Sequence, residues 1–137
     1  MESAKILVVD DDPDIVEVLA ELLKKEGHQV TTCANGAAAI SAGREEKFDV
    51  VLADIRLPDM DGLAVLRALL EANAETAVIV MTAFGTVETA IQAIKGGAYD
   101  YIPKPFKLDD RLRPSTEKHV QERIKPRSGQ KRTRSPN

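Results

Sequence analysis

Val50-Val51-Leu52-Ala53-Asp54 is an apolar run that stops at a carboxylate, and Ile55-Arg56-Leu57-Pro58-Asp59-Met60-Asp61-Gly62 follows it. A short apolar run with two valines reads as a strand buried on both faces, as in a parallel sheet. Pro58 and Gly62 then mark a turn. Asp54 therefore falls at the carboxyl end of a central strand, the edge at which open α/β sheets place their ligands. Taken alone, Asp54 is equally well explained as a helix cap or a turn acid, because aspartate favours both positions. The rest of the chain decides between these readings.

Upstream, Lys5-Ile6-Leu7-Val8-Val9 is a second apolar run, and it too stops at carboxylates, Asp10, Asp11 and Asp12. Pro13 suits the first position of a helix, with Asp12 as its N-cap. Ile15, Val18, Leu19, Leu22 and Leu23 recur at helical spacing, Lys24 and Lys25 suit the last turn, and Gly27 stops the helix. Gln29 to Cys33 alternates as a short strand, Asn35-Gly36 opens the next segment, and the alanines from Ala37 to Ala42 with Ile40 read as a close-packed helix. Phe48 to Ala53 is the third strand. Asp61 caps a helix carrying Leu63, Leu66, Leu69 and Leu70. Ala77 to Met81 is a fourth strand, Thr86 caps a helix ended by Gly96-Gly97, and Tyr99 to Ile102 is a fifth strand. Strands alternating with helices through short connections predict a parallel sheet with helices on both faces.

Composition narrows the function classes. A 137-residue chain is one ordinary domain with a short extension. The single Cys33 excludes an internal disulfide and a cysteine-cluster metal site, and His28 and His119 have no ligand spacing. The first residues lack the pattern of a signal peptide, and the apolar run Ala77 to Met81 is far shorter than the roughly 18 residues of a membrane span. The expected setting is cytoplasmic, with no membrane partner. Residues 1–110 hold 10 Lys/Arg against 20 Asp/Glu, a net of −10, whereas residues 111–137 hold 9 against 2, a net of +7. Where a dinucleotide fold would need closely spaced glycines, three aspartates follow the first strand, which argues against a Rossmann cofactor site.

The strand ends carry the chemistry. Asp10 and Asp11 follow the first strand, Asp54 the third, Thr82 the fourth and Lys104 the fifth. Neighbouring parallel strands lie about 4.8 Å apart, so adjacent first and third strands would crowd three carboxylates into one cleft. Like charges so close are costly, and a hard divalent cation such as Mg²⁺ resolves the cost while sharing its coordination with phosphate oxygens. Carboxylates, metal, hydroxyl and lysine together meet the needs of phosphoryl transfer, with Asp54 the candidate nucleophile. Each residue also has a plainer reading: capping acids, a structural threonine, a solvated lysine. Singly these plainer readings win; together, at one sheet edge and in this order, they do not.

These residues resemble the receiver domain of two-component response regulators. The resemblance rests on Lys5 to Asp12, Asp49 to Gly62, Met81-Thr82-Ala83 and Tyr101-Ile102-Pro103-Lys104-Pro105-Phe106, and covers roughly residues 4–110. It implies a flavodoxin-like, doubly wound five-stranded sheet of order 2-1-3-4-5. It implies that Asp54 accepts a phosphoryl group from a sensor histidine kinase. Asp11, Asp54 and the backbone carbonyl of Arg56 would hold Mg²⁺, with Asp10 helping through water. Thr82 and Lys104 would bond the phosphoryl oxygens, Tyr101 would change rotamer with Thr82, and Lys104-Pro105 would be a cis peptide. Residues 82–90 and 97–101 look most like the nitrogen-regulator, or sigma-54 activator, branch. Members of that branch usually continue into an ATPase and a DNA-binding domain, which the resemblance does not reach here. A face built from the fourth helix and fifth strand would pass the signal to an output, transcription being the expected one, with a homodimer through the same face as a partner. Arg56 and Phe84, two residues beyond Asp54 and Thr82, would tune the phosphoryl lifetime, and the bulk of Phe84 implies a long one.

The resemblance weakens after residue 107. Leu108, Leu112, Val120 and Ile124 keep rough helical spacing over 107–124, but Pro114 stands inside, where an interior proline costs about 3 kcal/mol. The pattern allows a kinked helix or one that restarts at Pro114. Residues 125–137 have no apolar periodicity and read as a basic disordered tail. A solvated end is preferred for it over nonspecific nucleic-acid contact. Two other functions compete with the receiver. A Mg²⁺-dependent phosphohydrolase with an aspartyl nucleophile would need a second acid near Asp54 and a substrate cap, and the sequence has Ile55-Arg56 and no cap insertion. An interaction scaffold with a dead site would not need Asp10, Asp11, Thr82 and Lys104 together.

Overall fold

The computed structural model describes residues 3–82 and 87–103. The chain runs β1 (Lys5–Val9), α1 (Pro13–Lys25), β2 (Gln29–Cys33), α2 (Gly36–Glu45), β3 (Val50–Asp54), α3 (Gly62–Ala72), β4 (Ala77–Thr82), α4 (Val87–Lys95) and β5 (Asp100–Pro103). The strands form one parallel sheet of order β2-β1-β3-β4-β5, the flavodoxin-like order that the resemblance implies. β3 lies at the centre, and all five of its residues are buried. That double-sided burial is why the strand reads as an unbroken apolar run rather than an alternating one.

Successive side chains of a strand point to opposite faces. Leu7, Val9, Val51, Ala53, Val78 and Val80 therefore form one core layer with Ala39 of α2, Val65, Leu66 and Leu69 of α3 and Ala93 of α4. Ile6, Val8, Val50, Leu52, Ile79 and Met81 form the other with Leu19 and Leu23 of α1. Burying each large aliphatic side chain contributes about 1.5–3 kcal/mol, so these layers dominate the stability of the sheet.

Boundaries shift where a backbone partner overrides local pattern. Phe48 is buried but precedes β3, because Asp49 there exchanges bonds with β1: its N–H donates to the Lys5 carbonyl at 2.8 Å and its carboxylate accepts the Lys5 N–H at 2.9 Å. β5 begins at Asp100 rather than Tyr99, and α2 extends beyond the alanine run to Gly36 and Glu45. The Thr86 cap, the Lys104-Pro105 peptide, the last helix with Pro114 and the basic tail lie outside the described residues. No described helix is long and apolar enough to cross a membrane.

Candidate functional site

The register of the sheet builds the site. β1 and β3 pair with Val9 opposite Ala53, so the residues that follow, Asp10 just past β1 and Asp54 at the end of β3, stand side by side. Carboxylate oxygens of Asp10, Asp11 and Asp54 all lie within 4.8 Å of one another. Asp10 is 1% and Asp54 6% exposed, while Asp11 faces solvent. Two of the three carboxylates thus sit largely out of water, beside the exposed third.

Local backbone turns aim these groups. Asp10 accepts the Asp12 N–H at 3.0 Å, and Asp54 accepts the Arg56 N–H at 2.9 Å. In both, a carboxylate bonds the amide two residues on, the turn that short acidic side chains favour. Asp12 does a separate job: its side chain accepts the Asp14 N–H at 3.0 Å and caps α1. Of the three consecutive acids, two therefore join Asp54 and the third starts a helix. The three clustered donors are hard oxygens, the chemistry that suits Mg²⁺ rather than a softer metal.

The loop after Asp54 is sterically fixed. The Gly62 N–H donates to the Ile55 carbonyl at 3.0 Å, and Arg56 bridges Asp61 in antiparallel fashion. A Cβ on Gly62 would stand 2.4 Å from the Ile55 Cα and carbonyl oxygen, so only glycine fits. Asp61 accepts the Leu63 N–H and caps α3, as its position in the sequence predicts. Asp11 and the loop residues Arg56, Leu57, Pro58 and Asp59 border an open groove.

The remaining predicted residues fall as follows. Thr82 closes β4, one residue past Met81, which pairs with Asp54, and opposite Pro103 of β5. Lys104 and Phe84 lie outside the described residues. Tyr101 sits on β5 opposite Val80 and is exposed, as are Tyr99 and, on α4, Ile91 and Ile94. Asp59 has a role that the sequence does not announce. It accepts N–H groups from Gly36 at 2.8 Å and Ala37 at 2.9 Å, and these bonds hold its carboxyl below the usual carboxylate range. No local pattern signals a partner 23 residues away.

The chain matches the response regulator receiver domain family over residues 6–113. It is 43% identical over 113 residues to the transcriptional regulatory protein ZraR of Salmonella typhimurium, covering 82% of this chain and 25% of ZraR. It is 40% identical over 132 residues to the DNA-binding transcriptional regulator NtrC of Escherichia coli, covering 95% and 28%. The chain spans about a quarter of the length of these relatives. Among solved structures, NtrX from Brucella abortus superposes with a TM-score of 0.84 at 37% identity, over 93% of this chain and 29% of NtrX. The BeF₃-activated DrrB receiver domain gives 0.80 at 33% identity, over 88% and 99%. Strand order, clustered acids and these similarities converge: the chain belongs to the response regulator receiver domains, in the branch of NtrC, NtrX and ZraR.

Proposed function

We propose that this receiver takes a phosphoryl group onto Asp54 from the phosphohistidine of a sensor histidine kinase in the cytoplasm. The clustering of the Asp10, Asp11 and Asp54 carboxylates at the carboxyl edge of the sheet carries the proposal. Asp11, Asp54 and the Arg56 carbonyl are the proposed holders of Mg²⁺, with Asp10 acting through water. When bound, Mg²⁺ supplies charge neutralisation for the carboxylates and the incoming phosphoryl oxygens. A carboxylate oxygen of Asp54 forms the new O–P bond while the N–P bond to the kinase histidine breaks. The electron pair returns to the imidazole. The Arg56 N–H holds the Asp54 carboxyl in one orientation, so less entropy is lost on reaching the attack geometry.

The phosphoryl group carries roughly −1.5 to −2 charges but uses up the one charge of the Asp54 carboxylate, so the end of β3 gains about one negative charge at most, together with strong acceptor oxygens. The Thr82 hydroxyl and Lys104 ammonium are the donors proposed to answer it, and Tyr101 the ring that follows Thr82. Such a change shifts a two-state population rather than the fold. The α4/β5 face, where Ile91, Ile94, Tyr99 and Tyr101 are exposed, is the surface proposed to pass the state to a second copy and to a transcriptional output. Support for that output comes from the names of ZraR and NtrC. DrrB activated by BeF₃ supports a receiver site that answers a phosphoryl-like group.

The test is incubation with phosphoramidate and Mg²⁺, followed by intact-mass spectrometry. The wild type is expected to gain one phosphoryl group in a Mg²⁺-dependent way. Asp54→Asn is expected to gain none while keeping its circular dichroism. Phosphorylation of Asp54→Asn at the wild-type rate overturns the assignment.

A further inference from the structure

The loop that leaves Asp54 is held from outside itself. Asp59 Oδ1 accepts the Gly36 N–H at 2.8 Å and Oδ2 accepts the Ala37 N–H at 2.9 Å, so both oxygens are committed to the first turn of α2. The next amide, Ala38 N–H, goes to the Asn35 side chain at 2.8 Å. The N-terminus of α2 thus has a local cap and a second cap that comes from the β3–α3 loop. A carboxylate is also the charge this helix end favours. Packing follows the same path. A Cβ on Gly36 would stand 2.5 Å from Met60 Cγ and 2.8 Å from Val65 Cγ2, so the loop rests directly on the α2 backbone.

The same loop carries Arg56, three residues before Asp59 and beside Asp11 along the groove. Its base is fixed by the Gly62–Ile55 bond, and its tip by Asp59. We propose that Asp59 is a positioning residue for the Asp54 site: its two-oxygen clasp on α2 sets the height of the loop and thereby the Arg56 carbonyl proposed for the metal. The inference rests on the phosphoacceptor reading above. It adds that α2 is a fixed support of the site rather than a bystander packed on the far side of the loop. Asp59 does not touch the reacting atoms. It acts by removing alternative loop conformations, at one remove from the hydrogen-bond partners that orient metal ligands directly.

Two variants separate positioning from simple helix capping. Asp59→Ala removes the clasp; Asn35→Ala removes the local cap of the same helix and leaves the loop bonds alone. Both are expected to lower the melting temperature. Mg²⁺ affinity, measured by calorimetry on the full chain with Mg²⁺ alone, is expected to fall about tenfold in Asp59→Ala, at the lower end of the loss seen for outer-partner deletions. It is expected to stay within twofold of wild type in Asn35→Ala. Asp59→Asn keeps one acceptor oxygen and is expected to fall between wild type and Asp59→Ala. Amide exchange at Gly36 and Ala37 is expected to speed up in Asp59→Ala. Mg²⁺ affinity equal to wild type in Asp59→Ala overturns the inference alone, as does an equal loss in both alanine variants. Failure of the wild type to bind Mg²⁺ overturns the phosphoacceptor reading and this inference with it.

Discussion

The two ends of the sheet both bury polar groups, but they treat them differently. At the amino end, His28 Nδ1 accepts the Ala4 N–H at 3.1 Å, Asp49 accepts the Lys5 N–H, and the Thr76 hydroxyl donates to the Phe48 carbonyl at 2.8 Å. Each of these groups closes a backbone position at the start of a strand, so the cost of burying His28 and Thr76, and of half-burying Asp49, is offset by a bond. At the carboxyl end, Asp10 and Asp54 are buried with Asp11 beside them, three acids within 4.8 Å. The amide bonds they accept orient them but leave like charges together. The amino end is arranged for stability. The carboxyl end gathers hard oxygen donors where a cation would neutralise them.

The contrast can be broken by substitution. The largest effect belongs to the steric frame of the site: Gly62→Ala, with its Cβ driven against the Ile55 backbone, is expected to cost about 3 kcal/mol in urea unfolding. A neutral result would mean that the loop yields easily. Next come two changes of opposite sign. Thr76→Val at the amino end removes a buried hydroxyl bond and is expected to cost about 1 kcal/mol. Asp54→Asn at the carboxyl end relieves like-charge crowding and is expected to raise the melting temperature by roughly 2–5 °C without Mg²⁺. A fall in both variants would erase the distinction between the two ends.

The smallest effect is a pH dependence. Burial pushes the His28 imidazole below its ordinary value of 6.5, although Glu26 and Asp49 pull the other way, and its bond from Ala4 requires an unprotonated Nδ1. The unfolded chain then binds the proton more readily than the folded one, so stability is full above 6.5 and falls as pH drops below it. His28→Gln, which offers Ala4 a carbonyl acceptor, is expected to flatten that slope in thermal melts between pH 7 and 5. An unchanged slope would assign the acid sensitivity elsewhere.

What could be read from the residues follows from these two ends. Val50 to Ala53 and Ile6 to Val9 announce buried parallel strands because both faces are apolar, and Asp10, Asp11 and Asp54 stand out because each apolar run ends in an acid. The Asp12 and Asp61 caps were legible because a cap acts within a few residues of itself. Asp59 and His28 were not legible. Their partners, Gly36 and Ala4, are 23 and 24 residues away and are backbone amides, which carry no residue identity. The early start of α2 has the same origin, since Gly36 is held by that distant carboxylate.

The most direct test of a carboxyl end arranged for a cation is the shift of melting temperature on adding Mg²⁺, compared between wild type and Asp11→Ala. Asp11 is the exposed member of the cluster, so its removal leaves the core intact. Mg²⁺ is predicted to stabilise the wild type clearly more than Asp11→Ala. Equal shifts in the two proteins would contradict it.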